Sequence, residues 1–207
     1  MLVVPVVVAL LVVGAVLVLR HRSSGEVPPA DLVLRRTGFG VIAAWTLLGG
    51  AFVVGETATD PGGLAAVGWI AAWLVPLVVL AAMARLAPDL AVRVLAVGVG
   101  VAAAAGLWFA AAPDAWRDFE DDKGPVRAIA TFVLGAALGV LGLARTRAAG
   151  VLLLALGLVP PFLAQLGTSR GMASLIAMAT VPVVVGVLYV ASSLVPRRAP
   201  VGYGPPR

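Results

Sequence analysis

The sequence predicts an all-α fold: a polytopic integral membrane protein, a bundle of seven transmembrane helices with its N-terminus outside and its C-terminus inside. Three observations carry that expectation. Hydrophobic residues make up 61% of the 207 residues and charged residues only 12%, where a soluble domain is typically about a quarter charged. The apolar residues gather into seven runs near the ~20 residues that cross a ~30 Å hydrocarbon core as a helix. Lys and Arg collect in the links on one side of those runs. Mean hydropathy is +1.07, so a bilayer is the natural solvent.

The first run, residues 2–19, opens with MLVVPVVV and carries its charges, RHR, after the apolar stretch. That order, without an A-x-A-like site, predicts an uncleaved anchor rather than a signal peptide. Pro5 falls in the first turns, where a helix tolerates proline. RHRSSGEVPPADLVLRR follows, and its Ser-Ser-Gly and Pro-Pro predict a flexible or extended inner segment. The second span is 37–54. Asp60-Pro61 then reads as a helix start, Asp capping and Pro in the first turn, for the third span at 64–84. The fourth is 90–112. The fifth (128–144) and sixth (149–166) are short and joined by RTRAAG, a link tight enough to require an antiparallel hairpin. The seventh is 172–195. Residues 1–195 thus form one transmembrane domain, and the Pro/Gly-rich residues 196–207 a flexible cytoplasmic tail.

Orientation follows from the cations. Eleven of the fifteen Lys and Arg lie in or beside the links after the first, third and fifth spans and in the tail; four lie on the other side. Positive links stay inside. The arginines of the inner links are expected to anchor the topology and to touch anionic headgroups. The expected location is the cell membrane, multi-pass.

Several chemistries are excluded by composition. The chain has no cysteine, hence no disulfide or thiolate site. No Asp, Glu, Lys or His falls in a predicted span, and the only charge there, Arg93, is one turn from the inner end. Proton relays and ion-coupled sites need buried ionisable groups. The formal charge of +5 is spread through links, not gathered in a basic domain, so no nucleic-acid partner is expected.

The stretch DFEDDKG, 118–124, holds Asp118, Glu120, Asp121 and Asp122, four of the ten carboxylates. An EF-hand beginning at Asp118 would need Gly where Lys123 stands and an acid where Ile129 stands. A short helix from Pro113 and Asp114 accounts for it better, with Trp116 and Phe119 on one face and the acids in water. No metal and no cofactor are expected. Trp108, Trp116 and Trp69 read as interface anchors.

Glu56 is the carboxylate this architecture leaves unexplained, because it ends the second span where the helix dipole disfavours an anion. An ion pair of Glu56 with Arg170, Arg127 or Arg117 is expected first, and a plain solvated helix end or a ligand or catalytic role are the alternatives. Trp45 and Trp73 lie deep, and a deep indole N–H needs a partner. With Pro76 and Pro160 interrupting the third and sixth spans, and Gln165 near an end, the candidate ligand-binding set is Glu56, Trp45, Trp73, Pro76, Pro160 and Gln165. AWLVPL (72–77) and LGLVPP (156–161) place those prolines similarly, as an inverted repeat would. Thr131, Gly135, Gly139 and Gly142 form a small-residue stripe suited to close helix packing. Thr46, Gln165, Thr180 and Tyr189 are candidates for hydrogen bonds between helices.

The Ala/Val/Gly/Arg-heavy composition resembles that of small polytopic proteins of high-GC bacteria, a likeness that identifies no function. The first functional expectation is a non-enzymatic accessory or scaffold component of the cytoplasmic membrane. The alternative is a carrier or binder of an apolar or lipid-like substrate. An outer-face enzyme using Glu56 comes last. Expected partners are the lipid bilayer, and beyond it other membrane proteins or a second copy of the chain.

Overall fold

The computed structural model describes residues 29–59, 63–123, 126–165 and 172–195. The expected first span (2–19) and the tail (196–207) lie outside the described residues. Among the described residues the chain is all-helical, with seven helices: α1 Ala30–Thr59, α2 Gly63–Leu86, α3 Pro88–Ala111, α4 Pro113–Lys123, α5 Val126–Ala144, α6 Thr146–Gln165 and α7 Met172–Leu194. Four are long and apolar enough to cross a membrane, through Ala30–Ala51, Pro88–Ala111, Val126–Ala144 and Thr146–Ala164. The apolar stretches described in α2 and α7, Ile70–Leu86 and Met178–Leu194, are shorter.

These seven helices are not the seven predicted. Six correspond to the second through seventh spans, and the seventh is α4, the short polar helix expected from Pro113 and Asp114. The other difference is where α1 begins. ADLVLRR was read as part of a flexible segment, yet it is the first two turns of a 30-residue helix. The cause is local. Asp31 sits in the first turn, where the dipole favours an anion, and pairs with Arg35 one turn on at 2.9 Å. Hydrocarbon thickness limits the apolar part of a helix, not the helix itself.

α5 is the hub, packing against α1, α2, α3, α6 and α7. Its buried face runs through Leu134, Ala137, Leu138 and Leu141, with glycines between them. Tyr189 of α7 is buried at the centre. Its ring occupies the space that side chains on Gly38 of α1 and Gly142 of α5 would need. Its hydroxyl donates to the Gly139 carbonyl at 2.8 Å. α6 and α7 approach even more closely. A Cβ added at Gly150 would lie 3.0 Å from the Gly186 carbonyl oxygen, and one at Gly186 would lie 3.0 Å from the Gly150 carbonyl oxygen. Backbones in apolar surroundings come this near only where both sides lack a side chain.

Candidate functional site

The helices run up and down, so their charges sort by end. One end gathers Arg35, Arg36, Arg85, Arg93, Arg145 and Arg147 against Asp31 and Asp89. The other gathers Asp114, Asp118, Glu120 and Asp121 against Arg117 and Arg127, among the described side chains.

At the arginine end, the start of α1, the end of α7 and the turn between α5 and α6 surround an open groove of about 910 Å³. The first wall is a three-residue link between helices. Arg35 holds Asp31 through Nη2, and its Nε donates to Ser192 Oγ at 3.4 Å. Ser192 Oγ donates in turn to the Asp31 carbonyl at 3.1 Å. α1 is thereby tied to α7.

The second wall is the turn itself. Only Arg145 separates α5 from α6, and its N–H donates to the Leu141 carbonyl at 2.7 Å. Thr146 Oγ1 donates to the Gly142 carbonyl at 3.0 Å, satisfying a carbonyl of the last turn. Arg145 reaches Asp89 of α3 at 2.7 Å; both are exposed, and such a pair contributes under about 1 kcal/mol. Arg147 is exposed and has no ion-pair partner among the described residues. Val92, Val151, Leu152 and Val195 give the groove an apolar side. Arg147 can grip an oxyanion in bidentate fashion, with Arg35 and Arg145 beside it adding to the positive field, while an apolar chain lies alongside.

The acidic end is arranged differently. α4 folds back over α3, so that Trp116 is only 3% exposed and packs with Phe109 and Ala164. Its ring lies 5.2 Å from Trp108 and 5.7 Å from Phe119. Trp116 is therefore a core residue here, not an interface anchor; Trp108 remains half-exposed. The side chain of Trp69 lies outside the described residues. Glu120 is drawn to Arg127 at 3.6 Å, and Arg127 stacks 4.9 Å over Phe109. Trp116 Nε1 and Arg127 Nη1 are buried without a hydrogen-bond partner among the described residues. Asp118 and Asp121 are exposed. Among the described residues no group of His, Cys, Asp or Glu could hold a metal ion.

The candidate ligand set does not gather at one place. Trp45 packs on Phe132 of α5, with ring centroids 4.5 Å apart. Trp73 packs on Gly50 of α1. These two belong to the α1–α2–α5 interface, and Trp73 Nε1 has no hydrogen-bond partner among the described residues. Pro76 is exposed on α2. Pro160 lies on the α3–α6 contact, its carbonyl oxygen 2.8 Å from where a Cβ on Gly106 would be. Glu56 lies near the end of α1 and Gln165 at the end of α6, but their side chains, and Arg170, are outside the described residues.

The stripe on α5 faces inward: Gly135 against Trp45 and Ile42, Gly139 against Ile42, and Gly142 against Tyr189. Thr131 returns its hydroxyl to the Arg127 carbonyl in its own helix. So does Thr46, to Ile42 at 2.8 Å, rather than bonding across helices. Of the predicted bonds between helices, the structure contains that of Tyr189.

Sequence reading took the inner arginines one by one, as anchors. It did not group Arg35, Arg145, Arg147, Thr146 and Ser192. The available signal was their common side, since all fall in the links expected to be inner or just inside the spans beside them. Comparison with protein-family models, curated proteins and solved structures finds no match to this chain.

Proposed function

We propose that this chain is a seven-span protein of the cell membrane, N-terminus outside and C-terminus inside, that acts by binding and not by catalysis. Its site is the arginine-lined groove, and its ligand is an anionic lipid held by the headgroup. Of the earlier expectations, the lipid-like binder is thus preferred to the accessory or scaffold component, with the site moved from the proline-broken helices to the end of the bundle.

One observation carries the reading: Arg35, Arg145 and Arg147 line one groove together with an apolar wall. Guanidinium groups match phosphate geometry. The groove lies at a helix end, the depth at which a headgroup meets its acyl chains. The positive-inside count supports a cytoplasmic arginine end.

The test is lipid content after mild detergent extraction of the full chain. The wild-type protein should retain anionic phospholipid through delipidation. The double variant Arg145→Gln/Arg147→Gln should retain roughly thirtyfold less, at about 1 kcal/mol per arginine. Equal anionic lipid in both proteins would remove the reading.

A further inference from the structure

The hydroxyl groups of the groove say more than its charges do. Each Ser or Thr hydroxyl has one proton to give and two lone pairs. Here the protons are already committed. Thr146 Oγ1 donates to the Gly142 carbonyl, Ser193 Oγ to the Val190 carbonyl at 2.7 Å, and Ser192 Oγ to the Asp31 carbonyl. Such back-bonding is the usual resting state of a hydroxyl on a helix in apolar surroundings. Ser192 also accepts from Arg35. Thr146 and Ser193 accept no hydrogen bond from the described residues, yet both line the groove. They offer lone pairs, so a ligand that fits them must bring its own donor. The phosphate of a diester has none.

The charges set a second condition. Arg35 is neutralised by Asp31 at 2.9 Å and Arg145 by Asp89 at 2.7 Å, which leaves Arg147 uncommitted. One uncommitted guanidinium in the lining suits a phosphodiester, with one negative charge. A phosphomonoester, whose second pKa is about 6, approaches two negative charges at neutral pH. An ammonium donor on the headgroup would meet the arginines as a like charge. A hydroxyl donor would not.

The geometry points to a phosphodiester lipid whose headgroup carries free hydroxyls, a polyol of the glycerol kind: its phosphate on Arg147, its hydroxyls donating to Thr146 and Ser193, and its chains along Val92, Val151 and Leu152. This rests on the reading of the groove as a lipid site and specifies the headgroup.

The experiment uses the full chain in nanodiscs. It measures relative retention of four lipids with identical acyl chains against phosphatidylcholine: phosphatidylglycerol, phosphatidylethanol, phosphatidic acid and phosphatidylethanolamine. Phosphatidylethanol has the same charge as phosphatidylglycerol and no headgroup hydroxyl. Phosphatidylglycerol should be retained about three- to tenfold over phosphatidylethanol, the range that one or two ordinary hydrogen bonds supply. Ser193→Ala, a change the helix accommodates, should shrink that ratio while leaving phosphatidylethanol retention unchanged. Arg147→Gln should lower both lipids together. Equal retention of phosphatidylglycerol and phosphatidylethanol would overturn the inference while leaving the lipid reading intact, as would preference for phosphatidic acid or phosphatidylethanolamine. No anionic lipid retained above phosphatidylcholine would overturn the lipid reading itself.

Discussion

Tyr189 shows how much of this bundle depends on what is missing from a neighbouring residue. Its ring fits because Gly38 and Gly142 have no side chains, and its hydroxyl finds the Gly139 carbonyl across the α5–α7 contact. Removing the hydroxyl with Tyr189→Phe should cost about 1 kcal/mol, an ordinary buried hydrogen bond. Gly142→Ala should cost about 1–3 kcal/mol, because the ring must move for even one methyl group. Denaturant-detergent titration of the purified protein reads both. A Gly142→Ala protein as stable as wild type would contradict the packing. The stripe on α5 was visible in the sequence as glycines at helical spacing. Its partner was not, because nothing in spacing says which residue fills a notch. Trp116 illustrates the same gap. Its position beside charged residues suggested a headgroup anchor, and only the fold of α4 back over α3 buries it.

Among the elements, the apolar lengths of the helices were legible, and the charged extension of α1 was not. Apolar runs reveal where hydrocarbon can lie, so α2, α3, α5, α6 and α7 begin and end within a few residues of expectation. α1 starts seven residues before the predicted span, because charges that end an apolar run can still extend a helix. Asp31 and Arg35 do so here, and Ser192 fastens that extension to α7. Asp31→Asn should weaken the first turns by about 0.5–1 kcal/mol through the lost pair and the lost charge at the N-terminus. Amide hydrogen exchange should then quicken over residues 30–36 and stay unchanged in α5. Unchanged exchange over 30–36 would show that the pair does not hold the extension.

On the scale of the whole molecule, the charges are sorted to two ends, and each end has its own character. At the acidic end, among the described residues, aromatic rings pack around Trp116 and Arg127 pairs with Glu120. The arginine end is open. Its polarity could be counted along the sequence, but its groove could not. The residues that line it come from positions 35, 92, 144–148, 151–152, 192–193 and 195, and only the packing of α1 on α7 and of α6 on both α3 and α7 brings them together. The chain has no native cysteine, so single introduced thiols report which end faces out. Asp121→Cys, exposed on α4, should react with an impermeant maleimide in intact cells, and Arg85→Cys, exposed at the end of α2, should react only after permeabilisation. The reverse pattern would invert the orientation.

The most direct test of the groove as a lipid site is native mass spectrometry of the delipidated full chain with an equimolar mixture of phosphatidylglycerol and phosphatidylcholine. Wild-type protein should carry the anionic lipid in clear excess, and Arg147→Gln should bring the two adducts close to parity. Equal adducts on wild-type protein, or an excess that Arg147→Gln leaves untouched, would contradict the account.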